Sequence, residues 1–392
     1  MEFMTTADPV EALFGNGPFP HFQRSLGLFR PVGTNVVPRA VTSIVIGWFP
    51  LIVIVLAEGF LRRSSMASFF TDVATHARSL VAAPLLILCE ALCLKRLAGT
   101  ANQFVRAGII EKQDELEFNA LRASTRTLMN ATVAEIVAVI FAYLIALGLV
   151  RYVALFEVRP WYLLDGSNSA ISLAGWWHSL VSLPLLLILF FGWMWRVLLW
   201  SRFLIRIAGM KLRLIAAHPD RASGLKFLNS SVIAFIPLAF TFGVVTAGSI
   251  ANRILYQGAT IESTQMTVAG LVVFVLVLFV GPLLVFVLKL HGQKVEGVFS
   301  YGGLADDVGR QFEEKWLANY GKFKAGALEA QDFSATTDLY QVVANVHDMK
   351  VLPFEIRAVV SLIVATLLPF IPVLLMTMPV KLIVTELARL VI

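Results

Sequence analysis

The chain has 392 residues, 58% of them hydrophobic and 15% charged, with a formal charge of +6 and a mean hydropathy of +0.77. A soluble domain carries about 25% charged residues, so this composition excludes a water-exposed globular fold. The positive excess lies in short loops beside apolar runs, where it sets membrane orientation, and it does not signal a nucleic-acid partner.

The first residues, MEFMTTADPVEALFGNGPFP, lack a basic start followed by an apolar core, so no signal peptide is expected. Together with the multispan hydropathy this predicts a multi-pass protein of the bacterial inner membrane. Residues 1–40 are then a cytoplasmic segment. A bilayer core takes about 20 apolar residues as helix. Seven stretches qualify: 41–60, 79–94, 129–150, 176–200, 231–251, 266–288 and 357–378. The expected fold class is an all-α integral membrane bundle of about seven spans with a helical cytoplasmic layer.

In chain order, the first two spans fill 41–94. Glu58 precedes Arg62 by four residues, the favourable order for an interfacial ion pair. Cys89 and Cys93 share one helical face, which predicts buried packing with no disulfide. Loop 61–78, with Arg62, Arg63 and Arg78, falls outside and fits the orientation badly. Residues 95–128 read as a cytoplasmic amphipathic helix or helical hairpin, with Leu116, Asn119 and Ala120 interleaved with charge.

Two spans fill 129–200. Glu90, Glu135 and Arg196 fall toward the cytoplasmic third of three different spans. That cluster is either a structural salt bridge or part of an ion or proton path. His178 follows Trp176 and Trp177 and reads as an interfacial belt residue.

Residues 201–230 form a basic loop with six Lys and Arg (Arg202, Arg206, Lys211, Arg213, Arg221, Lys226) against Asp220 alone, so this loop is expected in the cytoplasm. It contains His218, Pro219 and Asp220, the triplet that J-domain co-chaperones present to their partner. Only about ten residues remain before the fifth span, too few for the helices a J-domain packs around it. A shaped turn explains the triplet better: Pro219 ends a helix, Asp220 caps the next turn and Gly224 permits a tight bend.

The fifth and sixth spans fill 231–289. Ala239, Gly243, Ala247 and Ala251 repeat every fourth residue, the small-residue pattern that lets helices approach closely. Thr246, Ser249, Asn252 and Arg253 form a polar stripe, which either bonds within the bundle or lines a pore. Gly281-Pro282 should bend the sixth span, and Lys289 at its end should snorkel. Residues 290–353 read as a cytoplasmic helical subdomain, with VGRQFEEKWLANYGKF its clearest helix. Residues 354–392 carry Pro369, Pro372 and Pro379. They are either one kinked span followed by an amphipathic tail with Lys381, Thr385 and Arg389 in line, or a re-entrant hairpin. No internal repeat is evident.

Three stretches together resemble a family of uncharacterised bacterial multispan inner-membrane proteins: the HPDRASGLKFL turn, DFSATTDLYQVVANVHDMKVLPF, and the Pro-broken LLPFIPVLLMTMP. In that family the turn reads as HPD-x-x-x-GL-x-FL. Ser223 and Lys226 stand here where glycines or small residues are commoner. The resemblance covers the C-terminal half. It implies a shared fold and no activity, catalytic residue or substrate.

No nucleotide-binding loop, dinucleotide fingerprint, HExxH or Gly-x-Ser-x-Gly occurs, so no enzyme and no catalytic residue is expected. His218, His291 and His347 with Asp220 and Asp348 lack the close spacing of a zinc site, so no metal and no cofactor is expected. The expected partners are the bilayer and further copies of the chain, with a cytoplasmic protein partner left open. The functional expectation is a homo-oligomeric channel or passive transport pathway for ions or small solutes, gated by its cytoplasmic helices. The alternative is a membrane scaffold or sensor docking a cytoplasmic partner. A lipid-handling enzyme is third and has no nucleophile and base to support it.

Overall fold

A computed structural model describes residues 36–62, 66–156, 161–163, 170–317 and 331–377. Within these residues the protein is all-α; the only β contact is an isolated bridge between Leu163 and Ile171. Seven helical stretches are long and apolar enough to cross a membrane: Val36–Phe60, Val73–Arg106, Thr132–Leu149, Leu173–Gly209, Lys226–Gln257, Ile261–Phe279 and Ile356–Met376. The chain is a multi-pass membrane protein, and the seven expected spans each find a counterpart.

The first span comprises α1 (Val36–Gly47) and α2 (Phe49–Arg62), broken at Trp48 before Pro50. A short helix, α3 (Met66–Phe70), leads to the second span. That span consists of α4 (Val73–His76), a π-helical segment (Ala77–Ala82) and α5 (Ala83–Arg106). It starts earlier and ends later than its apolar run, because Asp72 caps its start and Lys95, Arg96 and Arg106 stay exposed at its far end. Then come α6 (Glu115–Met129) and the third span, α7 (Thr132–Phe156). The fourth span repeats the build of the second: α8 (Leu173–Trp177), a π-helical segment (His178–Ser182) and α9 (Leu183–Gly209). The fifth is a 3-10 turn (Lys226–Leu228), α10 (Asn229–Ala234) and α11 (Ile236–Gln257).

The sixth span, α12 (Ile261–Phe279), does more than bend at Gly281-Pro282. It stops, and a 3-10 turn (Gly281–Phe286) leads into α13 (Val287–Trp316). Helix α14 (Gln331–His347) packs back along α13, and the seventh span is α15 (Ile356–Leu367), a 3-10 turn (Leu368–Phe370) and α16 (Ile371–Thr377). The described part of the C-terminus is a Pro-interrupted helical stretch long enough to cross, and the residues that would return in the re-entrant reading lie outside the described residues. The expected tail residues Lys381, Thr385 and Arg389 lie outside the described residues, as do Arg63 and residues 1–35 of the expected N-terminal segment.

Spans two, four and five are the most covered by protein, at 50%, 56% and 61% of their apolar windows. Trp193, Trp200, Phe203 and Phe235 are fully buried there, as are Phe279 at the end of α12 and Phe286 in the turn that follows. Helices α7 and α12 lie at the periphery, with only 22% and 11% of their apolar windows covered by protein. Their uncovered residues, among them Ile140, Phe141, Val273 and Val277, meet lipid.

Prolines interrupt several of the spans, and a lipid-exposed backbone carbonyl must find a donor. Pro50 removes the helical donor to Ile46, and the Trp177 indole N–H takes that carbonyl at 3.3 Å. Pro184 does the same to Leu180, which accepts the Tyr143 hydroxyl at 3.2 Å. Pro237 leaves Ile233 to Arg96 Nη1 at 3.4 Å. These three breaks are therefore also ties to neighbouring spans.

Candidate functional site

The polar stripe of the fifth span turns onto the start of the second. Asp72, in what reads as a loop, is the N-cap of α4 and only 1% exposed. Its Oδ1 accepts the Thr75 backbone N–H at 2.9 Å and Asn252 Nδ2 at 2.7 Å. Its Oδ2 accepts the Thr75 hydroxyl at 3.0 Å and the Trp161 indole at 2.9 Å. Asn252 Oδ1 in turn accepts the N–H of Ala74 at 3.2 Å. Four donors from three parts of the chain thus satisfy one buried carboxylate, the condition under which a charge is tolerated at this depth.

One turn away, Arg78 Nη2 donates to Ser249 Oγ at 2.8 Å. Arg78 therefore belongs to the bundle and drops out of the loop charge that fitted the orientation badly. Thr246 bonds the carbonyl of Phe242 in its own helix, and Arg253 is exposed. The small residues occupy the other face. A Cβ on Gly243 would stand 2.2 Å from the Thr366 carbonyl oxygen, and Ala247 and Ala251 pack on Phe370 and Val373. Ala239 is fully buried. Gly248 admits Ala77 and Ala74 of the second span. Helix α11 is thus wedged between the second and seventh spans.

Aromatic rings cover the Asp72 junction. Phe69 meets Trp161 and His76 edge-on at 5.3 and 5.0 Å, and Trp161 meets His178 at 5.7 Å. His178 is 4% exposed, so it belongs to this cluster and is no interfacial belt residue. Glu58, expected to pair with Arg62, accepts the Leu173 N–H at 2.9 Å at the start of α8; the Arg62 side chain lies outside the described residues.

The second and fourth spans correspond at a shift of 100 positions. SLVAAPLL (79–86) matches SLVSLPLL (179–186) at six of eight residues. Asp72 caps α4 through Thr75, and Ser172 caps α8 through the Gly175 N–H. A π-segment follows in each, then Pro84 or Pro184. Trp161 joins the two caps: its indole donates to Asp72 and its carbonyl accepts the Ser172 hydroxyl at 2.9 Å. This internal repeat escaped the sequence because only eight residues of it are similar. The structure shows it through backbone features that several sequences produce. Inserted π-turns of this kind recur at functional positions.

The expected charge cluster lies toward the other end of the second span. Glu90, 5% exposed, pairs with Arg196 at 3.5 Å and with Arg39 at 2.9 Å. Arg39 was not foreseen, because its span carries no other charge near it. Arg196 also lies over the Trp193 ring at 5.0 Å. Glu135 is buried in the first turn of α7.

Beyond that end stands the HPD turn. Asp220 Oδ1 accepts the backbone N–H groups of Ala222 and Gly224 at 2.8 and 3.1 Å, and Oδ2 that of Lys226 at 3.1 Å. His218 Nδ1 is 2.8 Å from Asp220 Oδ1. Burial alone would raise the Asp220 pKa, but these backbone bonds and His218 outweigh it and hold the carboxyl below its ordinary range. Pro219 starts the turn but ends no helix, because the preceding helix has already stopped at Gly209. Arg221, Ser223 and Gly224 take positive φ values of 56°, 53° and 91°. Two non-glycine residues in the left-handed region are strained, and the Asp220 bonds hold them there.

The surroundings clamp the turn. The Lys350 N–H donates to the Arg221 carbonyl at 2.8 Å, and Lys294 Nζ to that of Met349 at 2.7 Å. The Arg213 N–H donates to Ile109 at 2.8 Å, Lys289 donates to the Met210 carbonyl instead of snorkelling, and Lys226 pairs with Glu355 at 2.8 Å. Glu355 is held below its ordinary pKa chiefly by Lys226. Among the described residues no three His, Cys, Asp or Glu side chains stand close enough to share a metal ion.

No family model, curated protein or solved structure matches this chain.

Proposed function

We propose that this multi-pass protein provides a passive pathway for ions or small solutes along the seam between its second and fifth spans. One observation carries the reading: ionisable residues are buried at two depths of one helix. Asp72 and the half-buried Arg78 meet the fifth span at one end, and Glu90, which pairs with Arg39 of the first span and Arg196 of the fourth, stands toward the other. Ionisable groups inside a membrane are costly and mark ion or substrate routes. Between Asp72 and Glu90 lie the π-segment that carries Arg78, and Pro84, features at which helices bend. In the arrangement described, Ser249 and Asn252 are tied to Arg78 and Asp72. Opening then consists of parting those bonds, which frees Ser249 and Asn252 to line the pathway beside Thr246 and Arg253. The clamp couples α13 to the turn through Lys294 and Lys289, which supports a reading with gating at the HPD end, expected in the cytoplasm. The uncovered apolar faces of α7 and α12 leave room for a homo-oligomer.

The test is flux of protons, potassium and chloride from liposomes holding the purified full chain, under voltage and tension steps. Flux above protein-free vesicles is expected, with loss in Thr246→Leu and Ser249→Leu. Absence of flux under both stimuli, or unchanged flux in both variants, overturns the reading.

One observation favours a scaffold without transport. Helices α13 and α14 form an arm on which Phe299 and Leu304 remain 76% and 51% exposed outside the apolar spans. Its mark is a cytoplasmic protein recovered through this arm from a chain that passes no flux.

A further inference from the structure

His76 ties the first span to the second, and its protonation state is fixed by its two partners. Trp48 Nε1–H donates to His76 Nδ1 at 3.0 Å, and His76 Nε2 is 3.0 Å from the Phe69 carbonyl oxygen. An indole nitrogen only donates and a carbonyl only accepts. Nδ1 therefore carries no proton, Nε2 carries one, and the ring is neutral. A second proton has one place to go, Nδ1, where it faces the indole N–H. Two donors then oppose each other and the bond is lost.

We propose that His76 is a proton-operated latch: protonation at Nδ1 releases Trp48 and frees the break in the first span from the start of the second. Trp48 is the residue between α1 and α2, next to Gly47, whose carbonyl accepts the Ser182 hydroxyl, and two residues from Ile46, held by Trp177. Its release loosens the joint where the first span meets both π-segments. His76 closes α4 and adjoins the Ala77–Ala82 π-segment, so the same event reaches the second span.

The charges around His76 bear on its proton. On its own span, Asp72 stands one turn before it and Arg78 two residues after it. The first span brings Glu58, bonded to Leu173, and Arg39, paired with Glu90 far along the second span. Helix α3 brings Phe69 and no charge. The fourth span brings His178 at the junction and Arg196 beside Glu90. The fifth brings Arg253 and Tyr256, both exposed. Among the described residues the anion one turn away is Asp72, and its oxygens already take four donors. A proton on Nδ1 therefore costs the Trp48 bond.

The latch stands on geometry alone; its consequence for flux rests on the transport reading. The experiment follows the indole 15N–1H resonances of the full chain in detergent micelles between pH 8 and pH 5. Trp48→Phe identifies the Trp48 signal. A single reversible displacement of that signal on acidification is expected. His76→Gln should keep the bond through its amide oxygen and abolish the displacement. A Trp48 signal unmoved across the range in the folded protein, or a displacement that persists in His76→Gln, overturns the proposal. The same two proteins in liposomes separate the claims. A titrating signal without any flux leaves the latch standing and removes the pathway, and flux with an unmoved signal does the reverse.

Discussion

Asn252 Nδ2 donates to Asp72 Oδ1 at 2.7 Å, across 180 residues of sequence. That bond joins the fifth span to the cap of the second, and the same carboxylate reaches Trp161. Removing the carboxylate leaves Asn252, Thr75 and Trp161 donors buried without an acceptor. Each such loss costs about 1–3 kcal/mol. Asp72→Ala should therefore be among the most destabilising single changes at this end, by about 3 kcal/mol or more. Asn252→Asp should be nearly as harmful, because it sets two carboxylates together. Thermal unfolding in detergent measures both, and wild-type melting of Asp72→Ala would show the network to be dispensable.

Gly243 and Gly292 make a matched pair. A Cβ on Gly243 meets the Thr366 carbonyl oxygen at 2.2 Å, and one on Gly292 meets nothing within 4 Å. Gly243→Ala must push the seventh span away, at a cost of about 1–3 kcal/mol. Gly292→Ala sits in open space within a helix and should be neutral or stabilising by up to about 1 kcal/mol. Equal melting temperatures for the two variants would mean that the fifth and seventh spans do not pack as described.

The proline ties can be tested by a thermodynamic cycle. Tyr143→Phe removes the donor to the Leu180 carbonyl that Pro184 leaves without a helical partner. A loss of about 1 kcal/mol is expected, in line with other hydrogen bonds between membrane helices. In a Pro184→Ala background the helix supplies its own donor, and the same change should cost close to nothing. Identical costs in both backgrounds would show that the hydroxyl is not compensating for the proline.

Asp220 predicts how the clamp answers pH. Its folded pKa lies below the ordinary carboxylate value, so its contribution is complete at neutral pH. That contribution persists through mild acid and disappears only as the pH falls through the lowered value. Asp220→Asn keeps one acceptor and should loosen the turn at neutral and mildly acid pH; Asp220→Ala should cost about 2 kcal/mol. Amide exchange at Ala222, Gly224 and Lys350 reports both. Protection lost near pH 6 in the wild type would contradict the assignment.

The seven spans were legible in the sequence because the bilayer demands about 20 apolar residues wherever a helix crosses, whatever that helix packs against. The HPD turn was legible for a similar reason, since proline, aspartate and glycine act on their own backbone within a few residues. The small-residue stripe of the fifth span was visible as a periodicity. Which neighbour it faced was not, because Gly243 and Thr366 are adjacent only once the spans assemble. Asp72 looked like a loop acid beside arginines. Its burial depends on Asn252 and Trp161, which arrive from distant parts of the chain. The correspondence of the second and fourth spans had the same obstacle, since a cap, a π-turn and a proline are backbone events that Asp72 or Ser172 can begin. Hydrophobic length is a property of each segment against its solvent, and the sequence determined it. The pairing of buried polar groups is a property of the closed bundle, and only the tertiary structure decided it.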